Sequence, residues 1–344
     1  MNSNWSRRKF LQNASLGIGA GMTSLPVSAM QTFDKRAVQS PHDVMIGAVS
    51  ITGVNANSPD EMVQNALRFM TEMATYKPDI ICLPEGFAYA NLNNFKYNVK
   101  DEARVAGEKI LSHFQKFAAA HNCYVICPTY TSSNNKEYIS AVLIDRKGKI
   151  AGEYHKMRPT AGEMESGVTP GKMDPPVFDT DFGKIGVQIC FDIKYEEGWN
   201  MLKDKGAQII FWPSAYASGQ EIASRAWKHQ VYIVTSTQKD TSKICDLSGE
   251  AIAQTSRWQP HWVCGPVNLQ KILILAWPTV SMIGDIQKKY GSKVSIRTYG
   301  EEEWLVMESL DKNLKIADVM KTFNLKPIDA ELKALDALHV KSRT

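Results

Sequence analysis

Several common chemistries have no carrier in this 344-residue chain. There is no Gly-x-Ser-x-Gly elbow, so a serine-hydrolase nucleophile turn is missing. The seven histidines form no His-Glu-x-x-His pair, and Cys123 and Cys127 lack zinc-ligand spacing, so a metal centre is not expected. No long apolar run could serve as a permanent membrane span. Charge of one sign is not in excess. Basic residues number 40 against 36 acidic, and removal of Arg7, Arg8 and Lys9 would leave 37. No field argues for nucleic acid or a membrane surface as partner. Nor does a proline- or glycine-rich linker split the chain, which suits one large domain with a C-terminal extension.

The N-terminus reads as a targeting segment. Ser6-Arg7-Arg8-Lys9-Phe10-Leu11 resembles a twin-arginine export motif, followed by a short apolar stretch from Ala14 to Leu25. Small residues at Val27-Ser28-Ala29 suit cleavage near Ala29. The expectation is a signal peptide over 1–29, a linker over 30–42, and an exported, periplasmic protein that meets the twin-arginine machinery. The six cysteines read mostly as buried single thiols.

Apolar runs mark strands at 44–50, 80–83, 124–127, 141–144, 185–189, 209–212, 231–236 and 263–267. Helix-like stretches lie between several of them. Asn57-Ser58-Pro59-Asp60 reads as a cap before a helix over 61–76, and residues 103–121 form another that stops at Asn122. Such alternation predicts α/β layers.

Three of these runs end in reactive side chains. Ile185-Gly186-Val187-Gln188-Ile189 leads to Cys190, placing a thiol at a strand tip, where open α/β sheets gather ligands. There it is either a buried structural cysteine or a nucleophile awaiting a base. Ile80-Ile81-Cys82-Leu83 leads to Glu85, held between Pro84 and Gly86. That glutamate is either an exposed turn carboxylate or a half-buried proton-transfer group. Lys156 follows Tyr154-His155 and, alone, reads as a surface charge.

Taken in order, these motifs resemble the nitrilase superfamily of carbon–nitrogen hydrolases, whose catalytic set is Glu, Lys and Cys. Leu83-Pro84-Glu85, Tyr154-His155-Lys156 and Gly186-Val187-Gln188-Ile189-Cys190-Phe191-Asp192 carry the likeness. Gly206-Ala207-Gln208-Ile209-Ile210, Pro213-Ser214-Ala215 and Asp246-Leu247-Ser248-Gly249-Glu250 extend it over roughly residues 43–275. The resemblance implies a four-layer α-β-β-α sandwich and catalysis by Glu85, Lys156 and Cys190. It places the lysine-orienting glutamate at Glu163, with Glu165 the fallback for a shifted loop, and an oxyanion donor at the Phe191 N–H. No cofactor is implied. The substrate would be a small amide or carbamoyl amide. Phe87, Tyr89, Trp212 and Tyr216 are expected to wall its pocket.

Two departures stand in the shell expected around that pocket. Asp192-Ile193-Lys194-Tyr195-Glu196 lacks the arginine and proline that many members carry, and Lys228-His229 replaces a Glu-Asn pair. A nitrilase would use the same residues on a nitrile but usually carries Trp-Glu after the cysteine, where this chain has Phe191-Asp192. An N-acyltransferase branch is known for membrane spans. A non-catalytic binding module remains the non-enzymatic rival.

In the C-terminal extension, 276–344, residues 284–291 read as helix, and 293–297 and 304–308 as strands. Residues 329–340 read as an amphipathic helix with Leu332, Leu335 and Leu338 on one stripe, too narrow for a core of its own. It is expected to cover the body or a neighbour near the interface of a homodimer or larger assembly.

Overall fold

A computed structural model describes residues 43–93, 98–102, 107–258 and 260–343. The expected signal peptide and linker over 1–42 lie outside the described residues.

Two six-stranded sheets form the body. The first is built from β1 (Asp43–Val49), β2 (Ile80–Cys82), β3 (Tyr124–Ser133), β4 (Lys136–Ile144), β5 (Ile150–His155) and β12 (Trp262–Asn268), in the order β12-β1-β2-β3-β4-β5. The second orders β11 (Ala251–Gln254), β10 (Lys243–Cys245), β9 (Tyr232–Thr237), β8 (Ile209–Ser214), β7 (Lys184–Val187) and β6 (Val177–Asp179). Each has a parallel centre, β1-β2-β3 and β7-β8-β9, with antiparallel strands outside it.

Strand alternation explains the layering. In β8, Ile209 and Phe211 pack into the large core, while Ile210 and Trp212 join a second cluster with Trp199, Leu202, Ile222 and Ala226. In β9, Tyr232 and Val234 go one way and Ile233 the other. A period of two with both faces buried means cover on both sides. Helices α4 (Glu197–Asp204) and α5 (Gly219–His229) supply the outer cover of this sheet. On the first sheet that role falls to α1 (Pro59–Met73) and α2 (Gly107–His121). Ser58 caps α1 by accepting from the Glu61 N–H at 3.2 Å, and the helix buries Met62, Val63, Ala66, Phe69, Met70 and Met73. Asn122 follows α2 in a left-handed conformation (φ 53°), as a helix stop requires. The short helix α3 (Ala161–Glu165) follows β5. The result is the α-β-β-α sandwich, with the sheets stapled where the Ser236 hydroxyl reaches Val49 O and Cys82 O.

The C-terminal extension is more than a tail. β13 (Lys271–Leu275), β14 (Val294–Tyr299) and β15 (Trp304–Ser309) form an antiparallel sheet with β15 central. It is packed by α6 (Ile283–Tyr290) and α7 (Ile316–Thr322) around Ile274, Ile286, Leu305, Met307 and Val319. The expected boundary at 275/276 therefore falls inside a structural unit, because β13 pairs with β15. The last helix, α8 (Ile328–Arg343), buries Ile328 but leaves Leu332, Leu335 and Leu338 40–57 % exposed. Its stripe does not cover the body of its own subunit. Among the described residues, no helix is long and apolar enough to cross a membrane.

Candidate active site

Glu85 owes its position to a tight turn. β2 ends at Cys82, Leu83 still bonds Ile126 O at 3.1 Å, and Gly86 (φ 50°) turns the chain so that the Phe87 N–H meets Pro84 O at 3.3 Å. Gln238, just past β9, donates its side-chain N–H to Glu85 O at 2.6 Å. The backbone of the Glu85 turn is thus held by both sheets, and Glu85 is 6 % exposed.

Lys156 follows β5, and its side chain is fully buried. Its ammonium donates to Glu85 Oε1 at 2.7 Å and to both oxygens of Glu163 at 2.7 and 2.9 Å. Glu163 sits in a capping box at the start of α3. It accepts from the Thr160 N–H at 2.6 Å, while its own N–H bonds Thr160 Oγ1 at 3.3 Å, a motif that satisfies both donors reciprocally. Glu163, not the exposed Glu165, reaches the lysine. Burial works against the charge of Lys156, but Glu85, Cys190 and Glu163 outweigh it and hold the ammonium well above the ordinary lysine range.

Cys190 opens a short 3-10 turn three residues beyond β7, in a left-handed conformation (φ 46°). All six cysteines are unpaired and buried, but Cys190, at 8 % exposure, is the most accessible of them. Burial, and then the charge of Glu85, push its thiol up to about 12. Lys156 and hydrogen bonds from the Ser214 side chain and the Ala215 backbone pull the other way. The resting thiol is protonated, so attack on an acyl carbon requires a base to take the proton as the bond forms. The ion pair and the sulfur share one electrostatic field.

Two of the expected pocket walls have other work. Phe87 has no exposed surface and packs edge-on against Phe114, 5.5 Å between ring centres. Trp212 is equally buried, because its side of β8 faces α4 and α5. Its indole N–H donates to Cys190 O at 3.0 Å, so it braces the Cys190 turn from behind. Tyr89 is 7 % exposed and lies 5.7 Å from Tyr130, ring to ring. Tyr216, half-buried, is raised in pKa by burial and then by Cys190, which puts its hydroxyl in the field of the sulfur. Phe191 is half-buried and meets Tyr195 edge-on.

The departures from the resemblance separate as well. Lys194 feels Cys190 and pairs with Glu221 at 2.7 Å, on the rim of the site. Lys228 and His229 instead converge with Arg225 on Glu196, in the helical layer. His229 is held neutral, lowered to about 4 by burial and then by Arg225, Lys228 and Lys203. These two substitutions thus lie behind the turn rather than around the pocket. Gln238 and Ser214 escaped the sequence reading. Gln238 lies 153 residues from Glu85, and no local pattern points to it. Ser214 sits in the quoted Pro213-Ser214-Ala215 match, which was its available signal.

A sandwich of two sheets with a Glu, Lys and Cys cluster at strand ends defines a class, and the family model for carbon–nitrogen hydrolase matches residues 37–272, more than half of the chain. The chain belongs to that family. It is similar to a deaminated glutathione amidase of Dictyostelium discoideum, 26 % identical over 215 residues (56 % of this chain, 73 % of the relative). A nitrilase of Pyrococcus abyssi is 28 % identical over 203 residues (56 % and 75 %). The fold is shared with a carbon–nitrogen hydrolase of Helicobacter pylori G27, with TM-score 0.59 and 18 % identity over 67 % of this chain and 90 % of that one.

Proposed function

We propose that this carbon–nitrogen hydrolase cleaves a small amide or carbamoyl amide through a thioester. The carrying observation is the buried Lys156 ammonium, clasped by Glu85 and Glu163 and electrostatically joined to Cys190. Cys190 Sγ attacks the substrate carbonyl carbon while Glu85 takes the thiol proton. Lys156 Nζ and the Phe191 N–H receive the oxyanion. As the C–N bond breaks, Glu85 returns the proton to the leaving amine; it then takes one from the water that hydrolyses the thioester.

Amide rather than nitrile chemistry is favoured by Phe191-Asp192 after the nucleophile. The test is ammonia release from panels of amides, N-carbamoyl amines and nitriles, run on the wild type and on Cys190→Ala. Turnover of an amide that disappears in the variant supports the reading. Turnover surviving in Cys190→Ala sinks it.

Two further proposals concern the setting. Export rests on Arg7-Arg8 and the small residues at Val27-Ser28-Ala29, and lysine at both arginines should strand the precursor in the cytoplasm. A homodimer is supported by the exposed Leu332, Leu335 and Leu338 on α8. Light scattering that returns a monomer would exclude it.

A further inference from the structure

Asp192 lies two residues past the nucleophile and is 1 % exposed. Its carboxylate takes three hydrogen bonds from two separate segments. The Ile189 N–H, in its own turn, donates to Oδ2 at 2.8 Å. From the lysine segment, the Tyr154 hydroxyl donates to Oδ2 at 2.6 Å and the Arg158 N–H to Oδ1 at 2.8 Å. Tyr154 and Arg158 stand two residues either side of Lys156. A residue that merely capped the turn would need only the first of these bonds.

The phenol extends the tie. Tyr154 OH accepts from the Met157 N–H at 3.2 Å and from Gln188 Nε2 at 3.1 Å, so its one donor and both acceptor sites are used. Gln188 itself is pressed against Gly198, where a Cβ would come within 2.3 Å of its Oε1. We propose that Asp192 is a positioning residue, the tie that fixes the Cys190 turn against the Lys156 segment so that sulfur and ammonium meet one acyl group. This rests on the reading of Cys190 as nucleophile and Lys156 as oxyanion partner. Burial raises the Asp192 carboxyl to about 6, against the pull of Tyr154 and the Ile189 amide, so near pH 8 it only accepts.

Asp192→Asn is the direct test, because an amide in either orientation turns its NH2 toward a donor. Facing Oδ1, it meets the Arg158 N–H; facing Oδ2, it meets the Ile189 N–H and the Tyr154 hydroxyl. A displacement of the order of an ångström costs roughly a hundredfold. The alkylation rate of Cys190 by iodoacetamide, read by peptide mapping, should fall about 10- to 100-fold. The kcat on the best amide should fall in step, with KM little changed. Tyr154→Phe keeps the ring and should show a smaller fall, and the double variant should be less than the product of the two. A merely structural role would lower the melting temperature and leave kcat per folded molecule untouched. Wild-type alkylation and kcat in folded Asp192→Asn would overturn the proposal. Should that variant not fold, an unchanged kcat in Tyr154→Phe overturns it instead. A wild type in which another cysteine is alkylated faster would sink the nucleophile reading, which is a separate result.

Discussion

Among the described residues, two lysines are clasped by paired carboxylates, and they invite comparison. Lys156 lies between Glu85 and Glu163, both at 2.7 Å. Lys271, on β13, lies between Asp246 at 2.7 Å and Glu308 at 3.3 Å. Both ammoniums are held above the ordinary range by their carboxylates, against the cost of burial. The surroundings differ. Lys271 joins a turn of the body to the C-terminal sheet, with its side chain 15 % exposed. Lys156 has no exposed side-chain surface and shares its field with a thiol. A buried ion cluster is weak evidence for function or for stability taken alone. What distinguishes the site is the sulfur within its reach.

The comparison predicts opposite outcomes for the two lysines. Lys156→Arg keeps the charge but replaces a compact ammonium with a planar fork. Turnover should fall at least about a hundred- to thousandfold, with the denaturation midpoint little changed. Near-wild-type kcat would remove Lys156 from the oxyanion role. Lys271→Met leaves the buried Asp246 facing the half-buried Glu308 and should cost up to about 3 kcal/mol in chemical denaturation, with kcat per folded molecule preserved. A dead but fully stable Lys271→Met would erase the distinction drawn here.

A gentler probe is the pH dependence of the sulfur. With the thiol near 12, alkylation of Cys190 should climb steadily from pH 7 to pH 10. The sign follows from the thiolate being the reactive form, since each step upward in pH releases more of it. A plateau near neutrality would mean that Lys156 outweighs burial and Glu85, and that the resting site holds a thiolate.

Sequence patterns disclosed the parts of the molecule that depend on near neighbours. The apolar runs into Glu85 and Cys190 read as strands because both faces of their parallel sheets are buried. The outer halves of β3 and β4 did not. Thr129, Thr131, Ser132, Ser133 and Lys136 break any apolar pattern, and the hairpin turns through Asn134 and Asn135, both at positive φ. Sheet order was also hidden, since β12 returns to pair with β1 across more than two hundred residues. In the site, the motifs singled out Glu85, Lys156 and Cys190, which the fold brings together. The roles of Trp212, Gln238 and Asp192 were not legible, because each acts on a backbone or side chain distant in sequence.

The left-handed backbone of Cys190 bears on how this protein can change. A side chain in that region typically costs about 1–2 kcal/mol, which glycine avoids. Stability and chemistry therefore pull position 190 in opposite directions. Under selection for heat resistance alone, glycine should be enriched there and the resulting proteins should be inert.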